Sequence, residues 1–245
     1  MNKDTSLPLV TIITVAYNSV STIEQTIVSV INQSYKNIEY IIIDGGSTDG
    51  TVDIIKKYAE HIDFWVSEKD SGIYYAMNKG LNKANGFLVG ILNSDDWYEP
   101  NAIEHVVKNY QDNPTTEVIH GLLRFIGSNG LADSIVGHYS NFLNSGMIEH
   151  PTCFIRKELY DKVGPFNIDY KSAADYEWML RARNNNAKFL FVPEVLTNFR
   201  RGGMSDSTIG FSEELLIKKR FKIISKFKYL YWKLYVQTLT IIKSK

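Results

Sequence analysis

The chain has 245 residues, of which 44% are hydrophobic and 22% charged, which excludes disordered, collagen-like and low-complexity proteins. Its 27 basic side chains balance 27 acidic ones, so no overall positive field favours nucleic acid as the main partner. The charge is unevenly placed, because residues 212–245 carry nine basic and two acidic side chains and the body before them has a net charge of −7. Cys153 is the one cysteine, so an internal disulfide is excluded and a reducing compartment, the cytoplasm, is expected.

The apolar segments of the sequence are short. Residues 9–16 are interrupted by threonines and are too short for the hydrophobic core of a signal peptide. The longest candidate, residues 229–242, is broken by Lys233 and falls below the roughly 20 apolar residues that a spanning helix needs. We therefore expect a chain that does not cross a membrane.

The first hundred residues alternate between two hydrophobic periods. Runs of β-branched residues predict buried strands, whereas apolar residues three or four positions apart predict helices. In chain order the predicted elements are a strand at 9–16, a helix at 21–32, a strand at 38–43, a helix capped by 47–49 and ending near 58, a strand at 64–66, a helix at 73–84 and a strand at 87–92. Strands that alternate with helices need crossover connections, which give a parallel sheet covered on both faces.

Beyond Pro100 the alternation becomes less regular. The predicted elements there are a helix at 101–110, a strand at 118–120, a hairpin around 128–130, and helices at 157–163 and 174–183. No Pro/Gly/Ser-rich linker separates the two parts. The sequence therefore predicts one α/β domain at residues 1–210, with halves at 8–100 and 101–210, followed by a basic amphipathic helical tail at 211–245.

Polar residues follow three predicted strands, at the edge where parallel sheets bind ligands. Asp44 precedes two glycines and is either a ligand-binding carboxylate or a turn-forming residue. Asp95 and Asp96 are adjacent carboxylates that repel each other unless a cation such as Mg²⁺ or Mn²⁺ lies between them. The alternative for this pair is an acidic turn before the next helix.

Several familiar nucleotide and metal motifs are absent from the sequence. It contains no Walker A motif, no G-x-G-x-x-G fingerprint and no Cys/His cluster. His150 before Pro151 is either a site residue or a structural histidine. Arg200 and Arg201, beside two glycines, form either a lid that closes over a diphosphate or a solvated turn.

Taken together and in order, the motifs resemble those of family 2 glycosyltransferases of the GT-A fold, of the bacterial kind that build surface polysaccharides such as lipopolysaccharide. The resemblance covers about residues 8–205. It is carried by residues 11–18 (TIITVAYN), 43–50 (IDGGSTDG), 68–72 (EKDSG), 76–80 (AMNKG), 93–96 (NSDD), 150–151 (HP) and 174–178 (ADYEW).

The resemblance implies a mostly parallel central sheet flanked by helices, with a nucleotide-binding half at 8–100 and an acceptor-binding half at 101–210. The residues that it implies at the nucleotide are Ala16, Tyr17, Asn18, Asp44, Ser94 and Asp95. The residues that it implies elsewhere are Asp95 and Asp96 for Mn²⁺ or Mg²⁺, Asp175 for the catalytic base, and His150, Arg200 and Arg201 for the acceptor or diphosphate. Gly45 and Asn93 stand where family members commonly have aspartates.

The activity implied is an inverting transfer of a hexosyl-type sugar from a UDP or dTDP donor to a polysaccharide or lipid-linked oligosaccharide. A carboxylate that removes the proton of the acceptor hydroxyl contributes typically 10²- to 10⁴-fold, and Asp175 matches this role. A helix N-cap is the alternative for Asp175, whereas Glu177 should point away from it. A sugar nucleotidyltransferase and a non-catalytic nucleotide-sugar or carbohydrate-binding protein are the rival functions.

The tail from Ile223 onward has apolar residues at Phe227, Leu230, Leu234 and Ile241, with lysines and aromatic residues between them. This pattern predicts an amphipathic helix suited to an anionic membrane surface. The alternative is a helix packed on the catalytic domain or on the second subunit of a homodimer. We expect a cytoplasmic protein held on the inner face of the plasma membrane.

Overall fold

The computed structural model describes residues 7–202 and 208–243, without the side chains of 208 and 236–243. The first six residues of the predicted domain, residues 203–207 and the last two tail residues lie outside the described residues, as does the side chain of Ile241. Residues 203–205 belong to the predicted arginine loop at 199–205.

Strands and helices alternate through the first half of the chain and mix less regularly in the second. The described strands are β1 (Val10–Ala16), β2 (Ile38–Asp44), β3 (Phe64–Ser67), β4 (Leu88–Asn93), β5 (Trp97–Tyr98), β6 (Val118–Ile126), β7 (Ala132–Val136), β8 (Phe154–Arg156) and β9 (Phe189–Arg200). The described helices are α1 (Ile23–Ile31), α2 (Thr51–Lys57), α3 (Ile73–Lys83), α4 (Ala102–Asp112), α5 (Lys157–Val163), α6 (Ala174–Asn184), α7 (Thr208–Arg220) and α8 (Lys226–Lys243). Short 3₁₀ turns lie at Ala59–His61, Ser140–Asn144 and His150–Thr152.

The strands form one sheet in the order β3-β2-β1-β4-β8-β6-β9-β5, with β7 paired to β6. Strands β3, β2, β1 and β4 are mutually parallel. Strand β8 runs antiparallel between β4 and β6, whereas β9 is parallel to β6. Strands β1 to β4, β6 and β9 therefore run in one direction, and β5, β7 and β8 oppose them.

Helices cover both faces of this sheet, as the sequence predicts. Ile12 of β1 packs in a core with α1 and α4, whereas the next residue, Ile13, packs in a second core with α3 and α6. Alternate strand residues point to opposite faces, so a strand buried on both sides is apolar throughout, like β1. Helix α3 approaches closely at Gly80, where a Cβ would stand 2.4 Å from Ile13 Cγ2.

The predicted α/β fold is confirmed, and the predicted hairpin corresponds to β6 and β7. The predicted tail differs in detail, because it consists of two helices, α7 and α8. Leu215 and Ile217 of α7 are buried, so α7 packs on the domain and the predicted boundary at residue 210 falls inside this helix. Among the described residues, no helix combines the length and hydropathy that crossing a membrane requires.

Candidate active site

A cavity of about 1100 Å³ lies at the carboxyl ends of β1, β2 and β4. Its walls come from both halves of the chain and from α7. The lining residues include Ala16, Tyr17, Asn18, Gly45, Lys69, Asp70, Tyr74, Ser94, Asp95, His150, Asp175, Phe211 and Glu214. The sheet thus brings together residues that are more than 150 positions apart in the sequence.

The loop after β1 is fixed by the loop after β2. Asn18 has a positive φ of 47°, and its backbone N–H donates to Ser47 Oγ at 2.8 Å. Its side-chain Oδ1 accepts the N–H of Thr48 at 3.0 Å. The ring of Tyr17 next to it is 67% exposed at the cavity, which leaves an aromatic face available for stacking on a planar ring.

Asp44 does not line this cavity. Its side chain is fully buried, and its Oδ2 accepts the N–H of Ser47 at 2.9 Å and the hydroxyl of Ser67 at 2.6 Å. Its Oδ1 accepts the hydroxyl of Ser47 at 2.5 Å. Both oxygens therefore hold the glycine turn in place, which is the turn-forming role that the sequence left open.

Asp95 and Asp96 face different surroundings. Asp95 lines the cavity, and partial burial raises its pKa. Asp96 is fully buried, and burial together with the charge of Asp95 raises its pKa well above the usual range. The Oδ1 atom of Asp96 accepts the N–H of Arg200 at 3.2 Å, whereas its Oδ2 has no partner among the described residues.

This pair has the chemistry of an incomplete cation site. No group of three or more His, Cys, Asp or Glu side chains that could hold a metal occurs in the described part of the chain. Mg²⁺ and Mn²⁺ accept one or two carboxylates and complete their coordination with phosphate oxygens and water. The cavity-facing Asp95 and the unpartnered Asp96 oxygen fit such an ion, with Asp95 better placed for direct contact.

Asp175 lies in the first turn of α6 and lines the cavity. The N-cap is Ala173, so the N-cap alternative for Asp175 is wrong. Its Oδ1 accepts the hydroxyl of Tyr74 at 3.1 Å and the N–H of Tyr176 at 2.9 Å. Burial and the negative charge of Asp175 raise the pKa of Tyr74 well above its usual range, so this phenol stays a donor.

His150 also lines the cavity, within a 3₁₀ turn. Burial lowers its pKa, which keeps the imidazole neutral at pH 7, and the negative charge of Asp175 opposes this shift only in part. Glu177, which the sequence predicts to point away from Asp175, bonds to Arg181 at 2.9 Å and does not line the cavity.

The two predicted lid arginines lie outside the cavity. The guanidinium of Arg200 lies 4.8 Å from the ring centre of Trp97 and hydrogen-bonds to Gln25. Arg201 pairs with Asp133 of β7 at 3.3 Å. Their role at a diphosphate stays a prediction.

The cavity also contains residues to which the sequence assigned no role, among them Lys69, Asp70 and Tyr74. Lys69 and Asp70 belong to the EKDSG segment, which carried part of the resemblance, so the motif itself was the signal. Tyr74 follows two positions later, and nothing in its local sequence indicates a bond to residue 175.

This sheet, with a ligand-sized cavity at its strand ends, defines an α/β protein of the GT-A type. Its coordinates are similar to those of S. aureus TarS 1–349 in complex with UDP-GlcNAc, with a TM-score of 0.70, 22% identity, and coverage of 85% of this chain and 65% of that one. They are also similar to the mannosyltransferase PcManGT from Pyrobaculum calidifontis in complex with GDP-Man and Mn²⁺, with a TM-score of 0.68, 20% identity, and coverage of 91% and 66%. The chain spans no more than two thirds of either one.

The family model described as glycosyl transferase family 2 matches residues 11–178, and the chain belongs to this family. It is 33% identical over 183 residues to an uncharacterized glycosyltransferase of Mycobacterium tuberculosis (strain CDC 1551 / Oshkosh), which covers 73% of this chain and 70% of that protein. It is 29% identical over 201 residues to the chondroitin synthase of Pasteurella multocida (strain Pm70), which covers 78% of this chain and 20% of that protein.

Proposed function

We propose that this glycosyltransferase moves a hexosyl-type sugar, with inversion, from a UDP or dTDP donor to a polysaccharide or lipid-linked oligosaccharide. The observation that carries the proposal is that Tyr17, Asp95 and Asp175 line one cavity. Tyr17 supplies a stacking face for the nucleoside, Asp95 a ligand for the diphosphate-bound cation, and Asp175 a base for the acceptor. These are the groups that a single displacement at a sugar carbon needs.

Asp175 is the carboxylate best suited to remove the proton of the acceptor hydroxyl. Glu214 of α7 also lines the cavity, but its carboxylate is paired with Lys218. Asp175 has no cationic partner among the described residues, and Tyr74 and the α6 backbone hold its Oδ1 in place. A positioned carboxylate whose second oxygen is uncommitted is the arrangement that general-base catalysis requires.

Asp95, with Asp96 behind it, would hold Mn²⁺ or Mg²⁺ at the donor side of the cavity. When bound, the ion neutralises the charge that develops on the leaving nucleoside diphosphate. PcManGT is a GT-A structural neighbour in complex with GDP-Man and Mn²⁺, which supports a metal-dependent reaction for this chain.

The donor is identified first by a thermal-shift panel of UDP, dTDP, GDP and CDP sugars with Mn²⁺, because a ligand that binds only the folded state raises the melting temperature. With that donor, Asp175→Asn should retain nucleotide-sugar binding and lower turnover by at least about 100-fold. Asp161→Asn is the matched control, because Asp161 is an exposed carboxylate on α5 that pairs with Lys157. Unchanged turnover of Asp175→Asn would remove this residue from the mechanism.

The exposed side chains of helix α8 support the proposal that the acceptor is presented at an anionic membrane. Those at three- and four-residue spacing are apolar or aromatic: Phe227, Leu230, Tyr231, Leu234 and Tyr235. After Glu214 the sequence has nine basic and no acidic residues. Trp232 packs edge-on against Phe211 of α7 at 6.1 Å, and Phe211 lines the cavity, so the exposed face lies next to the active site. Interfacial aromatics among lysines favour anionic headgroups.

A vesicle assay tests this location. The double variant Leu230→Glu with Leu234→Glu should lose most sedimentation with phosphatidylglycerol vesicles, as should deletion of residues 222–245. Lys108→Glu on α4 is the control, because it changes the net charge by the same −2 at an exposed site elsewhere. Equal sedimentation of the parent and the double variant would place any membrane affinity outside α8.

A further inference from the structure

The carboxylate that follows β2 is committed to the interior. Asp44 is fully buried, and both of its oxygens accept hydrogen bonds from the turn and from Ser67. The next residue, Gly45, lines the cavity but has no side chain. Neither position therefore presents a polar side chain to a nucleotide base.

Asp70 fills the space that a side chain at position 45 would take. A Cβ built on Gly45 would stand 2.9 Å from Asp70 Oδ2 and 3.2 Å from its Cγ. The two segments run side by side because Asp44 pairs with Ser67, and the N–H of Glu68 donates to the carbonyl of Asp44 at 3.0 Å. Asp70 is half-buried and lines the cavity with Gly45 and Tyr17.

The two carboxylate oxygens of Asp70 are not equivalent. Oδ1 accepts the N–H of Gly72 at 2.9 Å, which fixes the orientation of the side chain. Oδ2, the atom nearest to Gly45, has no donor among the described residues. Asp70 therefore gives the cavity an oriented and uncommitted acceptor, and the exposed ring of Tyr17 lines the same cavity.

We propose that Asp70 reads the base of the donor nucleotide, by accepting the N3–H of uracil or thymine on Oδ2. This inference rests on the proposed nucleotide-sugar donor and names the residue that selects its base. Uracil and thymine offer one N–H between two carbonyls, which matches one free oxygen. Cytosine has an acceptor at N3, which a carboxylate repels, and guanine offers two parallel donors that need both oxygens. A site built to bind an N–H discriminates strongly against a base that lacks it.

The test is the ratio of the dissociation constants of CDP and UDP, measured by calorimetry at fixed Mn²⁺. In Asp70→Asn the amide oxygen can keep the bond to Gly72 and turn the NH₂ group toward the base. We expect UDP to bind at least about 10-fold more weakly, because a hydrogen bond to a charged acceptor is lost. CDP should bind as well as before or better, so the ratio falls.

A second variant keeps the proposal testable if the first is unstable. Gly45→Ala leaves Asp70 unchanged but brings a methyl group against its Oδ2, so the CDP/UDP ratio should fall in the same direction. A ratio that both folded variants leave unchanged would overturn the role of Asp70. A parent that prefers GDP would overturn the uracil or thymine assignment. A parent that binds no nucleotide would refute the proposed function itself, and this inference with it.

Discussion

Replacing Asp96 with asparagine should stabilise the metal-free protein while it weakens metal binding. The carboxyl is fully buried, its Oδ2 has no partner among the described residues, and Asp95 is its neighbour. Burial and the Asp95 charge raise its pKa, so the folded state loses stability as pH rises from the unfolded value near 3.9 through the folded pKa. An asparagine at this position would keep the shape of the side chain and remove that cost.

The size of the effect follows from what each protein buries at position 96: the parent buries a charge without a partner, and the variant buries a neutral amide. An unsatisfied buried group costs about 1–3 kcal/mol and a charged one more, so the variant should recover about 1–2 kcal/mol. For a chain of this length each kcal/mol shifts the melting temperature by about 2–4 °C. Asp96→Asn should therefore melt about 2–8 °C higher than the parent at pH 8, with a smaller gap at pH 5.

The assay is differential scanning fluorimetry at both pH values, with and without Mn²⁺ and UDP. The parent should gain about 5 °C or more from Mn²⁺ with UDP near 100 times the dissociation constant, and the variant markedly less. Asp161→Asn again controls for the loss of a carboxylate. A variant that melts below the parent without metal would refute the account of a destabilising buried charge, and an equal response to Mn²⁺ would rule out the metal site.

Two further substitutions test single contacts. Tyr74→Phe removes the hydroxyl that donates to Asp175 at 3.1 Å; kcat should fall about 10-fold or more with the donor KM unchanged, and an unchanged kcat would show that the contact does not position the base. His120 is fully buried with both ring nitrogens unpartnered among the described residues, and burial lowers its pKa from 6.5 to about 4. Since His120 binds a proton in the unfolded chain but not in the folded chain, the free energy of unfolding of the parent should fall by roughly 3 kcal/mol as pH falls from 6.5 to 4. In urea titrations at pH 7 and 4.5, His120→Leu should lose less free energy of unfolding between the two pH values than the parent does. An equal loss in both proteins would exclude His120 as the cause.

The sequence was most informative where local pattern decides the structure. The β-branched runs of β1, β2 and β4 and the helical spacing of α1 and α3 predict the parallel half of the sheet and the strand ends near Tyr17 and Asp95. These residues do line the cavity, as does Asp175, which the resemblance brought in from the other half of the chain.

The sequence was less informative where a neighbouring segment decides which way a side chain points. Asp44 turns inward because Ser47 and Ser67 supply donors, and the second of these lies 23 residues away. Arg200 packs on Trp97 and Arg201 pairs with Asp133, and strands β5 and β7 bring these partners alongside only once the sheet has formed. Spacing along the chain cannot reveal such choices.

Because α7 forms part of the cavity wall, a fragment of this chain must include α7 to keep the cavity complete. The family match ends at residue 178, before β9 and before Phe211 and Glu214. A shortened chain ending there would leave β6 without its parallel neighbour and the cavity without the wall that α7 contributes. Gene fragments and chimeras built from this protein should therefore extend at least through Arg220.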